Sequence, residues 1–199
     1  ALVGKKVLID VLGYYSTWKN FIGYADVCNT PGTNDPTAFN DHSTYIQYNI
    51  AFNGAQTVNT YGYAASVSVD LSHNFIAKAN YYSDYLKNNN ASQINNFNTP
   101  HFHVNVEFGN TGLGKKQNWS FNTSLRYKPG YHYEVSGGLA NGNVPASTVI
   151  DAQIGYTFTA ILSSVKFGGT NITNKYYSTG IANPLIGAVY YVSLAYNLF

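Results

Sequence analysis

Charged residues are unusually few in this sequence. Only 10% of its 199 residues are charged, against about 25% in ordinary soluble domains, which excludes an ordinary water-facing surface. The eleven Lys and Arg residues are scattered and the net charge is +2, so the basic patch of a nucleic-acid-binding protein is excluded. The single cysteine, Cys28, permits neither an intrachain disulfide nor a cysteine-based zinc site. No apolar run reaches the length of a transmembrane helix.

Aromatic residues in regular alternation are what the sequence has in abundance. Tyr occurs 19 times and Phe 11 times, and apolar residues alternate with small or polar ones over eight runs. Successive side chains of a strand point to opposite faces, so each run predicts a strand with one apolar and one polar face. The predicted strands lie at about 7–11, 61–71, 75–84, 101–108, 118–127, 150–158, 165–167 and 190–198.

Two architectures share this alternation. In a soluble sandwich or lipocalin-like barrel the apolar face is the interior, whereas in a transmembrane barrel it faces lipid. Low charge, aromatic residues near the ends of the apolar stripes and an alternation of short and long links favour the second. The predicted fold class is therefore all-β, an antiparallel transmembrane β-barrel segment of about eight strands.

The links between the predicted strands give an orientation. Short links are predicted at 72–74, 110–116 and 159–162, and long links at about 28–43, 87–100, 129–147 and 172–187. In bacterial barrels the short turns are periplasmic and the long loops extracellular. The long links therefore mark the extracellular ends of the strands, called the outer ends below.

Several segments resemble the TonB-dependent receptors of the bacterial outer membrane, particularly those of Bacteroidetes-type bacteria. Ile9–Tyr15 and Asn59–Ala64 look like the family's middle-barrel hairpin, and Val144–Tyr156 looks like the approach to a late strand. Gly168–Tyr177 is similar to the penultimate-strand motif, in which an Asn-rich turn precedes Tyr. Gly187–Phe199 resembles the last strand of the family, which ends in an aromatic residue.

The resemblance implies that residues 1–199 are the last part of an outer-membrane barrel of about 22 strands, without the plug domain and the earlier strands. It implies energy-coupled import of a scarce nutrient, such as a siderophore, haem, cobalamin, an oligosaccharide or a peptide. The implied partners are membrane lipid, the rest of the barrel with its plug, a TonB-type energy transducer and a surface lipoprotein cap. Two rivals stay open: a self-contained eight-stranded barrel with a structural or adhesive role, and a soluble ligand-binding β-barrel.

The candidate ligand site is a polar patch. No catalytic motif is present, so no enzymatic activity and no cofactor is predicted. Under the predicted orientation, polar residues at the outer ends of three neighbouring strands face the lumen together, where they contact either a ligand or one another and the plug. The members of this patch are Tyr82, Asp84, His101, His103 and Arg126.

Aromatic side chains in the long links are the second set of candidates. Such rings stack on sugar, porphyrin or corrin rings, or they form an interfacial aromatic girdle. The candidates are Tyr131, His132, Tyr133, Tyr176 and Tyr177.

Overall fold

A computed structural model of the chain describes residues 2–3, 6–20, 22–29, 46–53, 57–87, 97–134 and 141–196. Its strands are β1 (Leu2–Val3), β2 (Val7–Trp18), β3 (Ile22–Asn29), β4 (Ile46–Asn53), β5 (Val58–Asp70), β6 (Phe75–Leu86), β7 (Phe102–Leu113), β8 (Trp119–Lys128), β9 (Tyr131–Glu134), β10 (Asn141–Val144), β11 (Ser147–Phe158), β12 (Ser163–Thr170) and β13 (Val189–Tyr196). Within these ranges, no helix is long and apolar enough to cross a membrane.

One antiparallel sheet contains nine of the strands, in the order β1-β2-β5-β6-β7-β8-β11-β12-β13. Apart from the two-residue β1, its members are the eight strands that the alternation predicts, and that prediction is confirmed. Neighbours in the sheet follow one another along the chain, interrupted only by the small hairpins β3–β4 and β9–β10. The main sheet is therefore an up-and-down meander, the connectivity of transmembrane barrels.

The short links lie at one end of the sheet. Two of them are single 3-10 turns, at Ser72–Asn74 and Thr159–Ile161, as predicted. The third prediction, a link at 110–116, is wrong at its start, because β7 continues to Leu113. Asn110 is buried and lies at a register shift, where its amide donates to the His73 carbonyl at 2.7 Å and accepts from the Gly112 N–H at 2.8 Å. Its side chain thereby holds an irregular strand end together.

The long links are only partly described. The predicted link at 28–43 is replaced at its start by β3, and residues 30–45 lie outside the described part, as do 88–96 and 135–140. The link at 129–147 contains the hairpin β9–β10, which the alternation does not predict. The link at 172–187 has no strand, and one isolated bridge joins Tyr177 to Ile186.

The apolar face of the main sheet is exposed. Val11 and Leu194 are 78% and 80% exposed, while the buried hydrophobic side chains of the described residues are Val58, Val144 and Val149. A soluble barrel would have these apolar stripes inside, because burial of apolar area is what stabilises it. The exposure of the stripes is what a lipid-facing surface requires.

Two groups of aromatic side chains cross this apolar face. Near the long links, rings contact one another at centroid distances such as 5.2 Å for Tyr61–Tyr85 and 5.7 Å for Tyr81–Phe102. This outer belt consists of Tyr61, Tyr63, Tyr81, Tyr85, Phe102 and Tyr127. Near the short links, the inner belt consists of Phe75, Phe108, Trp119, Phe121, Tyr156 and Phe158. Small and aliphatic residues lie between the belts, as in a transmembrane barrel wall.

Candidate functional site

The outer half of the polar face contains a hydrogen bond that crosses a glycine. Tyr14 on β2 pairs with Gly62 on β5, which pairs in turn with Asp84 on β6. The Tyr14 hydroxyl donates to Oδ1 of Asp84. A Cβ on Gly62 would lie 2.6 Å from Tyr14 Cε1 and 2.1 Å from the Ser83 carbonyl oxygen. Only glycine therefore leaves room for this ring and for the adjacent main chain.

Tyr82, two residues before Asp84 on the same face of β6, forms a stacked pair with His103. The Tyr82 ring and the His103 imidazole are nearly parallel, at 8° and a centroid distance of 4.7 Å. The two residues pair in register on β6 and β7. At the end of β8, the Lys128 ammonium donates to the Ser178 carbonyl at 3.2 Å and lies 5.3 Å from the Tyr131 ring centroid. Both charge-bearing and aromatic groups thus occupy this end of the polar face.

Asp151 on β11 is the centre of a second network. Arg126 Nε donates to its Oδ2 at 3.0 Å and Arg126 Nη2 to its Oδ1 at 3.1 Å, which is a two-pronged ion pair. Ser124 Oγ adds a third side-chain donor at 3.3 Å. The main-chain N–H of Asn171 donates to Oδ1 at 2.9 Å. Asp151 therefore ties the wall strand β8 to the segment that follows β12.

That segment, residues 171–188, is here called the anchored loop. Asn171 is 1% exposed and donates from Nδ2 to the carbonyls of Lys175 at 3.1 Å and Ile186 at 3.4 Å. Asn171 and Asn174 both adopt the left-handed region, with φ of 51°, which asparagine tolerates better than most residues. Asn174 Oδ1 accepts from the Ala188 N–H at 2.9 Å. The two asparagines thereby replace a strand ladder as the internal support of the loop.

The hairpin β9–β10 packs against the anchored loop. The Tyr131 hydroxyl donates to the Thr179 carbonyl at 2.6 Å, and burial, together with the neighbouring Tyr133, raises the pKa of Tyr131. Tyr131 thus remains a protonated donor. A Cβ on Gly180 would be 2.8 Å from the Tyr133 ring, so this ring lies directly on the loop backbone. These tyrosines hold two segments at the long-link end of the sheet together.

Four of the five residues of the predicted polar patch lie on the polar face, each with a particular partner. Tyr82 stacks on His103, Asp84 binds Tyr14, and Arg126 binds Asp151. His101 departs from the patch, because its ring stacks at 5.6 Å and 18° on Tyr85 of the outer belt. The prediction failed there because residue 101 precedes the first residue of β7, so strand parity does not apply to it.

The five loop candidates have different surroundings. Tyr131 and Tyr133 pack against the anchored loop, and the Tyr177 main chain bridges Ile186. Tyr176 is 63% exposed. His132 lies 3.3 Å from Asn143 Oδ1 and 3.6 Å from the Glu134 carboxylate. Three further members of the site, Tyr14, Asp151 and Asn171, were not predicted. Tyr14 and Asp151 lie on the polar side of the alternation, and Asn171 lies in the Asn-rich motif at Gly168–Tyr177.

Near the short links, the polar face forms a cavity of about 310 Å³. Its charged and amide side chains are Lys78, Glu107, Asn110, Asn122, Gln153 and Lys166, and Gly109 and Gly155 leave space between them. The described residues include no group of three His, Cys, Asp or Glu side chains that could hold a metal ion. The polar face is thus lined by both charge signs and by amides along its whole height.

These features together define a segment of transmembrane barrel wall, with an apolar face between two aromatic belts and a polar face carrying ordered loop contacts. The fold is that of the barrel wall of TonB-dependent outer-membrane receptors. No protein-family model matches the chain, and no curated protein matches it in sequence. The likeness to known proteins is therefore structural.

Three solved structures illustrate the likeness. The copper transporter OprC is 14% identical with a TM-score of 0.69, over 98% of this chain and 29% of its own. The pyoverdine outer-membrane receptor FpvA of Pseudomonas aeruginosa PAO1 is 12% identical with a TM-score of 0.65, over 97% and 27%. The ferric-catecholate import receptor Fiu of E. coli K12 is 16% identical with a TM-score of 0.58, over 90% and 23%. This chain thus spans about a quarter of the length of the receptors it matches.

Proposed function

We propose that this chain is part of the barrel wall of a bacterial outer-membrane receptor that imports a scarce nutrient, with energy from a TonB-type transducer. The observation that carries the proposal is the main sheet, whose eight long strands expose a belted apolar face and match about a quarter of the length of receptor chains. The polar face then lines the import path and meets a plug domain. The remaining partners are membrane lipid and the rest of the barrel, and a surface lipoprotein cap stays a prediction.

The open edges of the sheet favour a larger barrel over a closed barrel of eight strands. Within the described residues, β13 pairs only with β12, and the far side of β2 pairs only with the two-residue β1. A barrel in lipid has every strand edge paired, because an unpaired peptide group costs several kcal/mol there. Additional strands therefore complete the wall in the membrane.

A metal chelate of the siderophore kind is the substrate class we propose first. The supporting observations are the names of the structural neighbours, which include receptors for pyoverdine and for ferric catecholates. The outer half of the polar face supplies phenol, imidazole, carboxylate and guanidinium groups from Tyr82, His103, Asp84 and Arg126. Such a set suits a polar, oxygen-rich ligand. Haem, cobalamin, oligosaccharides and peptides are the other classes to be tested.

Uptake in the bacterium that encodes the chain tests this proposal. We expect deletion of the gene for the full-length protein to abolish growth on, and uptake of, one radiolabelled substrate from these classes. Inactivation of the energy transducer should give the same loss, whereas uptake of a small solute through general porins should not change. Normal uptake of every class in the deletion strain would contradict the proposal. Loss of uptake in the deletion strain but not in the transducer mutant would contradict the energy coupling and leave the import role.

A further inference from the structure

A cavity of about 320 Å³ lies at the outer rim of the wall, away from the polar face. One side is formed by Tyr61, Tyr85 and His101, and the other by Tyr131, His132 and Glu134. Tyr61 and Tyr85 belong to the outer belt, and the remaining residues belong to the segments next to the long links. The cavity therefore opens where the aromatic belt meets the extracellular segments.

Three rings form a continuous platform on the first side. Tyr61 and Tyr85 stack at 5.2 Å and 21°, and Tyr85 and His101 stack at 5.6 Å and 18°. Near-parallel rings at these distances hold one another in place. They offer a flat, apolar and electron-rich surface to a ligand. The C–H groups on one face of a sugar ring are suited to such a surface.

The second side is fixed by a double hydrogen bond. Asn98 Nδ2 donates to the Glu134 carbonyl and Asn98 Oδ1 accepts from the Glu134 N–H, both at 2.8 Å. This bond joins the segment before β7 to β9, so the two sides are already in place before a ligand arrives. It uses only the main chain of Glu134. The Glu134 carboxylate is 36% exposed and can still accept from hydroxyl groups.

The lining selects the chemistry of the ligand. Its described members carry one carboxylate and two imidazoles, without Lys or Arg, and Lys and Arg are the residues that recognise phosphate and carboxylate ligands. The volume is near the lower limit of small-molecule sites, which is about 300 Å³. That volume suits one sugar unit. A neutral, hydroxyl-rich ring with one apolar face matches both observations.

We propose that this rim cavity binds a single neutral sugar residue. The sugar stacks on Tyr85 and His101, and its hydroxyls donate to the Glu134 carboxylate. The source is either a glycolipid of the surrounding outer leaflet or a free saccharide. The site is separate from the import path along the polar face, so it does not depend on the proposed transport function.

Ligand-observed saturation-transfer NMR on the full-length protein tests the site. The probes are the methyl glycosides of glucose, galactose and mannose, and a second arm uses nanodiscs with lipopolysaccharide that contains or lacks its core sugars. The protein is kept in an amine-oxide detergent, since glucoside or maltoside headgroups would compete. We expect Tyr85→Ala to weaken binding about fivefold to tenfold and Glu134→Ala by about tenfold.

Matched variants keep the test decisive. Tyr85→Phe retains the ring and should bind nearly as the wild type does, and Tyr196→Ala makes the same truncation on β13, far from the cavity. Binding of a methyl glycoside assigns a free saccharide, and binding only of lipopolysaccharide with core sugars assigns the membrane glycolipid. If Tyr85→Ala does not fold, Glu134→Ala decides alone. Binding of neither probe, or equal losses in Tyr85→Ala and Tyr196→Ala, would overturn the proposal.

Discussion

Tyr14 and Tyr15 are adjacent in β2 and point to opposite faces of the sheet. Tyr14, on the polar face, crosses Gly62 and donates its hydroxyl to Asp84. Tyr15, on the apolar face, is 57% exposed, and its ring has the Lys87 ammonium 5.4 Å from its centroid. One tyrosine thus joins strands through a hydrogen bond, while its neighbour presents its ring to the surroundings.

The same arrangement recurs at the other end of the sheet. Tyr191 on β13 pairs with Gly168 on β12, and its hydroxyl donates to Gln153 Oε1 on β11 at 3.0 Å. A Cβ on Gly168 would lie 2.5 Å from this ring. On the polar face, glycine and tyrosine therefore act as a pair that connects three strands. On the apolar face, the belt tyrosines contact one another instead.

The largest expected effect comes from placing a charge on the apolar face. Val106 lies between the two belts on β7, and Asn105 precedes it on the polar face. We expect Val106→Lys to lower the free energy of unfolding by about 2–4 kcal/mol, because a cation there meets hydrocarbon. Asn105→Lys should change it by less than about 1 kcal/mol. Urea titration of the full-length protein in liposomes measures both, and equal effects would contradict the assignment of the faces.

A smaller loss is expected from filling the glycine gap on the polar face. Gly62→Ala places a methyl group against Tyr14 and the Ser83 carbonyl, and such overpacking costs about 1–3 kcal/mol. Gly13→Ala is the control, since its nearest neighbour, the Gly62 carbonyl oxygen, is 4.0 Å away. Heat-modifiability on gels reports the difference. If Gly13→Ala were as unstable as Gly62→Ala, the loss of stability would come from replacing a strand glycine and not from filling the gap.

Removal of the anion that holds the anchored loop should have a local effect. In Asp151→Asn the Arg126 guanidinium loses its counter-charge, at a cost of about 1–2 kcal/mol after allowance for solvent exposure. We expect faster hydrogen–deuterium exchange in residues 171–188 with little change in β6 and β7. Asp70→Asn makes the same replacement at an exposed end of β5 and serves as the control. Unchanged exchange in the anchored loop would show that Asn171 and Asn174 hold it without the Asp151 carboxylate.

The smallest effect concerns the hydroxyl of Tyr14. Tyr14→Phe keeps the ring over Gly62 and removes the donor to Asp84, with an expected loss of about 1 kcal/mol. Tyr15→Phe, on the opposite face, should be neutral within about 0.5 kcal/mol. A double variant with Asp84→Asn tells the two contributions apart, because the effects should be less than additive if Tyr14 and Asp84 bind each other.

The alternation of the sequence predicted the long strands of the main sheet but not the short hairpin β9–β10 or the end of β7. The long strands were predictable because a sustained alternation of apolar and polar residues matches the period of a strand and not that of a helix. The hairpin β9–β10 was not, since each strand has four residues. Asn110 was assigned to a short link because the alternation ends at Phe108, whereas its amide stabilises an irregular strand end.

The site was less predictable than the fold for a related reason. Parity gave the correct face for Tyr82, His103 and Arg126, but it does not say which residues meet across strands. The partner of Arg126 depends on the register of β8 with β11, which brings Ser124 opposite Asp151. His101 lies beyond the end of β7, where parity no longer holds. Its stacking on Tyr85 therefore does not follow from the alternation.

The two aromatic belts also fix a length. On β6 they are ten residues apart, from Phe75 to Tyr85, which corresponds to about 34 Å along the strand and about 26 Å along the membrane normal at a tilt of about 40°. A bilayer with that hydrocarbon thickness accommodates the wall without deformation. In a thicker one, lipids next to the wall must compress or the strands must tilt less, at a cost for each ångström of mismatch. Lipid acyl-chain length therefore becomes a variable that tunes the stability of this wall.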